Sequence, residues 1–136
     1  MITESIEFTT IYRYNTLETG ITLPTILKLG SLSAKVDGKV DTGSTFCVFE
    51  RIHGENLGLE IESGDFLRMQ TATGKFDTFG HRVNLSVLGI ETEATVYFAA
   101  EESFYLNILG RQGWLDRVKL GLIDYEGKLL LSAYGE

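Results

Sequence analysis

Val40-Asp41-Thr42-Gly43-Ser44-Thr45 is the stretch on which the reading of this chain turns. Taken locally, Asp-Thr-Gly is turn chemistry. The Asp carboxylate can close an Asx-turn, and glycine supplies positive φ at no steric cost. A triplet of this kind also arises by chance in about a few per cent of chains this long. What gives it weight is its setting, because apolar residues lie on both sides: Val40 before it and Phe46-Cys47-Val48-Phe49 after it. An acidic turn between two apolar runs points to an acid held by buried structure.

Outward from that stretch, strand signals dominate. Residues 5–14 are rich in Ile, Phe, Thr and Tyr, and residues 21–29 carry the same bias around the single proline, Pro24. Proline cannot donate to a ladder, so that segment begins a strand or lies at an edge. Residues 34–40 put Val36, Gly38 and Val40 on one face, although Asp37-Gly38 also fits a tight hairpin turn. Residues 66–71 and 76–87 flank Thr71-Ala72-Thr73-Gly74-Lys75, which reads as a hairpin tip. Residues 92–99 alternate, residues 105–109 are apolar, and residues 119–123 and 128–131 flank the turn Asp124-Tyr125-Glu126-Gly127. Helical signal is confined to residues 112–118, about two turns, and to a shorter turn over residues 51–57. Many short strands and 15 glycines predict one all-β domain spanning residues 1–136, a barrel or closed sandwich with one small helix.

Composition removes several classes of function. The chain has 136 residues, with 12 Lys+Arg against 19 Asp+Glu and a net charge of −7. With 43% hydrophobic and 23% charged residues it is globular in composition. Phosphate neutralisation needs a clustered basic face, which the sequence lacks, so no nucleic-acid partner is expected. No run of 18 apolar residues occurs, so no spanning helix and no membrane partner are expected either. Met1 to Glu7 has neither a basic nor an apolar leader region, and the expectation is a cytoplasmic protein. The lone Cys47 excludes an internal disulfide and reads as a small buried apolar residue. His53 and His81 have no metal-ligand spacing, and neither has an oxyanion-hole signature to support a Cys–His nucleophile. Gly38-Lys39 and Gly74-Lys75 lack the upstream glycine of a phosphate loop. No metal and no cofactor are expected.

The Val40–Thr45 string resembles the active-site loop of aspartic proteases. A second element of that group, hydrophobic–hydrophobic–Gly, is matched by Ile108-Leu109-Gly110 with Arg111 directly after, and Gly110 lies 69 positions beyond Asp41. That interval is comparable to the spacing in the small single-lobe enzymes of the retropepsin-like family, and the resemblance covers roughly residues 20–132. It implies a closed β-barrel of the acid-protease type with one short C-terminal helix, acting as a homodimer on peptide or protein substrates. By the same resemblance Asp41 is the catalytic acid, Thr42 locks two loops together across the dimer axis, and Gly43 lets backbone approach substrate. The Ser44 hydroxyl would donate to the outer oxygen of Asp41, and Ile108, Leu109 and Gly110 would support the loop structurally. Arg111 would meet an acidic partner. Thr45 stands where many retroviral enzymes have Asp, which leaves Glu50 as the substitute. Thr73, Gly74 and Lys75 would belong to a flap over the substrate, or else to a surface hairpin without contact to ligand.

The chemistry agrees with that resemblance. Hydrolysis without a metal or covalent nucleophile needs one group to take a proton from water and another to give one to the carbonyl oxygen. Two neighbouring carboxyls can do both, because like charges about 3 Å apart cannot both ionise. The chain carries the loop once, so a two-fold dimer must supply the second acid. Two functions follow as expectations. One is an endopeptidase cutting extended peptides near hydrophobic side chains; the other is a non-catalytic peptide-binding or assembly module on the same fold.

Overall fold

The computed structural model describes residues 1–72 and 74–135. Its strands are β1 (Thr10–Arg13), β2 (Thr22–Leu29), β3 (Leu32–Val40), β4 (Val48–Phe49), β5 (Asp65–Thr71), β6 (Gly74–Val87), β7 (Ile90–Ala99), β8 (Ile108–Leu109), β9 (Val118–Ile123) and β10 (Lys128–Ala133). Among the described residues one α-helix, α1 (Arg51–Asn56), follows β4. The fold is all-β, as the strand signals predict, and α1 occupies the short helical turn expected there. None of the described helices is long and apolar enough to cross a membrane.

The larger sheet runs β2-β3-β8-β4-β7-β6-β5, and a further β2–β6 pairing bends it into a ring with β5 outside. Alternation decides which side chains fill that ring. Ala34, Val36 and Gly38 of β3 point in while Lys35 and Asp37 point out. Ala94, Val96 and Phe98 of β7 face Val83, Leu85 and Val87 of β6 in the same core. The smaller sheet, β1-β10-β9, contributes Leu129 and Leu131 to that cluster and so closes one side of the ring. Burying a side chain of this size contributes about 1.5–3 kcal/mol. A handful of them therefore matches the whole net stability of a domain, about 5–15 kcal/mol.

Two local readings are settled by register. Leu29 pairs with Leu32, so the β2–β3 hairpin turns at Gly30-Ser31, where Gly30 takes φ +59°. Asp37-Gly38 is therefore strand interior and not a turn. Pro24 pairs with Asp37 on β3, whereas β6 reaches β2 only over residues 25–28, which leaves the proline beyond the ring closure.

The helical piece expected over residues 112–118 is shorter than two turns: a single 3-10 turn, Leu115–Arg117. Gln112 is committed to a bridge with Phe46, and Gly113 has φ +101°, so neither residue is free to be helical.

Candidate active site

β3 delivers Asp41 to the surface beside β8. The two strands run parallel with Lys39 opposite Ile108 and Val40 opposite Leu109, and the Asp41 N–H donates to the Leu109 carbonyl at 3.0 Å. Beyond that bond the chain closes on itself. Asp41 Oδ1 accepts from the Gly43 N–H at 3.0 Å, and the Asp41 carbonyl accepts from the Ser44 N–H at 3.1 Å. The carboxylate is thus held by an Asx-type turn, half-exposed, with Oδ2 unpartnered among the described residues. Thr42 and Gly43 at the tip of the turn are exposed.

The two sequence motifs meet here. Arg111 N–H donates to the Ser44 carbonyl at 2.9 Å, and Gln112 N–H to that of Thr45 at 2.8 Å. Gly110 lies against this rung so tightly that an added Cβ would be driven into the Phe46 carbonyl and stand 2.9 Å from that of Ser44. Only glycine fits. Its N–H donates to Cys47 Sγ at 3.3 Å, beneath the loop, where burial pushes the thiol up to about 11. Cys47 is buried as the sequence suggests, but it also acts as an acceptor, a role its flanking residues do not announce.

Two expectations are corrected. The Ser44 hydroxyl donates to the Phe46 carbonyl at 2.8 Å, two residues along its own chain, and not to the outer oxygen of Asp41. Glu50 does not substitute as the acidic partner of Arg111: its Oε1 faces His53 Nε2 at 3.3 Å. The Arg111 side chain is exposed, with no ion-pair partner among the described residues, and the residue serves the loop through its backbone. Asn107, which the motif reading passed over, ties both flanks together. Its carbonyl accepts from Lys39 N–H at 2.8 Å and its side-chain oxygen from Glu50 N–H at 3.1 Å.

The expected flap is the β5–β6 hairpin, in which Thr71 pairs with Gly74 and Met69 with Phe76. Gly74 has φ +143° and Lys75 is exposed, whereas Thr73 lies outside the described residues. The hairpin rests on the segment after β7: Ala100 N–H donates to the Asp77 carbonyl at 2.9 Å, and the Phe76 and Phe104 rings stack at 4.7 Å and 28°. Between the hairpin tip and residues 103–106 lies a cleft of about 400 Å³. Residues 103–106 run directly through Asn107 into β8, so one wall of this cleft continues into the strand that supports Asp41. Asp41 itself lies outside the cleft.

No protein-family model matches the sequence. No curated protein matches it either. Among solved structures, the chain is similar to a retropepsin-like aspartic protease from Rickettsia conorii, at 18% identity and a TM-score of 0.67, over 90% of this chain and 97% of that one. It is also similar to EIAV protease complexed with the inhibitor HBY-793, at 20% identity and a TM-score of 0.55, over 72% and 88% of the two chains. At these identities the likeness is one of fold.

Proposed function

We propose that this chain, which has a retropepsin-like fold, is an aspartic endopeptidase whose active site is completed by a second copy of itself. The observation that carries the proposal is Asp41, a half-exposed carboxylate with one oxygen fixed by the Gly43 N–H and the other open, on a loop braced by β8 and Gly110. Such a loop is half of a proton-sharing pair. With two copies meeting at their Thr42-Gly43 tips, one Asp41 is ionised and its mate protonated. The ionised carboxylate takes a proton from a water molecule as the oxygen attacks the peptide carbonyl, and the protonated one gives its proton to the carbonyl oxygen. Collapse of the tetrahedral intermediate, with a proton passed to the leaving nitrogen, releases a carboxylic acid and an amine and leaves nothing bound to the protein. The extended substrate would lie beneath the β5–β6 hairpin, held by main-chain hydrogen bonds and chosen by side-chain pockets.

The test is a mixed peptide library incubated from pH 3 to 7 with the native chain and with Asp41→Asn. Cleavage by the native chain, reduced about 10²–10⁴-fold in the variant, is the expected result. Intact peptides at every pH, from a preparation shown to be dimeric, would replace this reading with the non-catalytic peptide-binding module.

A further inference from the structure

Lys39 stands two positions before Asp41. The alternation that points Lys35 and Asp37 of β3 outward carries Lys39 and Asp41 to the same outer face. Two residues of extended chain separate their Cα atoms by about 6.7 Å. Backbone pairing holds through this stretch: the Lys39 N–H donates to the Asn107 carbonyl at 2.8 Å, that of Val40 to Ile21 at 2.8 Å and that of Asp41 to Leu109 at 3.0 Å. Lys39 pairs with Thr22 on β2, and the same register carried two residues further sets Gly20 opposite Asp41. The lysine stem leans that way. A Cβ added at Gly20, where φ is +78°, would stand 2.8 Å from Lys39 Cε and 3.5 Å from its Nζ, so a side chain at position 20 would push the lysine aside. Lys39 is half-buried, yet it has no ion-pair partner among the described residues, whereas Lys28 and Lys128 each meet a glutamate at 3.2 Å.

We infer that Lys39 is a specificity-determining residue: its ammonium receives an acidic side chain of the substrate next to the peptide bond that is cut. The inference rests on the endopeptidase reading and names the chemistry of its substrate. It departs from the apolar preference expected from the sequence. An extended substrate over Asp41 advances about 3.3 Å per residue, so a side chain flanking the cleaved bond comes within reach of a lysine rooted two residues from the acid. A carboxylate there makes a charge-assisted hydrogen bond to Nζ, about twice as strong as a neutral one. An amide of the same shape makes the weaker bond, and an aliphatic side chain covers the ammonium without pairing it. Ile108, opposite Lys39 on β8 and half-buried, gives the methylenes of a glutamate an apolar flank.

The experiment uses peptides that differ only in carrying Glu, Gln, Leu or Lys at one of the two positions flanking the cleaved bond. Cleavage is measured at pH 6 with the native chain, Lys39→Met, Lys39→Arg and Lys39→Glu, each checked for folding by circular dichroism and for assembly by sedimentation. Affinity for the same peptides is measured by calorimetry with each of these sequences carrying Asp41→Asn in addition. The native chain should take Glu over its isostere Gln by about tenfold or more, with the difference mainly in KM. Lys39→Arg should keep that preference, Lys39→Met should bring the ratio to about one, and Lys39→Glu should favour the Lys peptides instead. The native preference should also fade at pH 3, below the ordinary glutamate value of about 4.3. Should nothing be cleaved while the affinities order the peptides in this way, the subsite stands and the endopeptidase reading falls. A Glu-to-Gln ratio shared by the native chain and a folded Lys39→Met variant overturns the inference, as does a folded chain that binds none of the peptides. So does a Lys39→Met variant whose one change is dissociation into single chains, which would assign the ammonium to contact with the second copy.

Discussion

Around Asp41 the competition for hydrogen-bond donors decides what each residue can do. Two donors within three residues turn back onto Asp41, the N–H groups of Gly43 and Ser44, and both are backbone groups. The Ser44 hydroxyl, a side-chain donor close by, is taken by the Phe46 carbonyl. It therefore stiffens the exit from the turn and makes no bond to the Asp41 carboxylate. Ser44→Ala is expected to lower unfolding free energy by about 1 kcal/mol, the usual net value of such a bond, in urea denaturation. The pH–rate profile of the variant should superimpose on that of the parent, and a displaced optimum would restore the hydroxyl to Asp41. At this scale the sequence is informative about residue types and poor about partners. Asp-Thr-Gly and Ile-Leu-Gly are legible because a surface acid and a close backbone contact each demand a particular residue. Which of two nearby acceptors a serine proton chooses, or that Glu50 turns to His53, depends on side-chain directions that no spacing encodes.

One arginine organises the elements around α1. Arg51, at the start of α1, donates to the Ala100 carbonyl at 3.2 Å and pairs with Glu55 on its own helix and with both oxygens of Glu62 in the 3-10 turn Ile61–Ser63. It thereby joins α1, the end of β7 and the entry to β5, the elements from which the β5–β6 hairpin and the wall of its cleft depart. The guanidinium hydrogen bonds hold the Glu62 carboxyl below its ordinary 4.5. A depressed carboxyl contributes stability above its unfolded value, and that contribution is lost as pH falls through the lower folded one. Arg51→Met should accordingly melt lower than the parent at pH 7, modestly because Glu62 faces solvent, with a gap that narrows below pH 4 and in 1 M salt. A gap independent of both would mean that the arginine stem, and not its charge, matters. Elements themselves were legible wherever periodicity ran clear, as in β6 and β7. The 3-10 turn after Gly110 came out shorter than its composition suggested, because backbone bonds to the Asp41 loop had already claimed Gln112.

For the whole molecule the decisive question is where two copies would meet. Part of the N-terminal segment joins the small sheet: Thr10–Arg13 adds β1 to β10, and in the order β1-β10-β9 the strand β9 has one strand neighbour among the described residues. Leu122 of β9 stands opposite Leu129, which is fully buried, so both belong to the core-facing side, yet Leu122 is 43% exposed. The apolar face therefore runs out at the open edge of β9 instead of ending on the sheet. That edge is tied to the active-site loop within a few residues, since Leu115 N–H donates to the Gly110 carbonyl and Asp116 N–H to that of Arg111. A second β9, antiparallel across a two-fold axis, would extend the sheet, cover Leu122 and bring two such loops toward one axis. Leu122→Lys places a charge in that seam while leaving the ring core untouched. The variant should keep its β-sheet circular dichroism, sediment as a monomer at concentrations where the parent is dimeric, and lose most of its cleavage per chain. Partial recovery should follow as concentration rises, because the missing acid is supplied by mass action. A Leu122→Lys chain that remains a fully active dimer would move the axis away from β9, and a parent whose specific activity is flat on dilution well into the monomer range would show that a single Asp41 suffices.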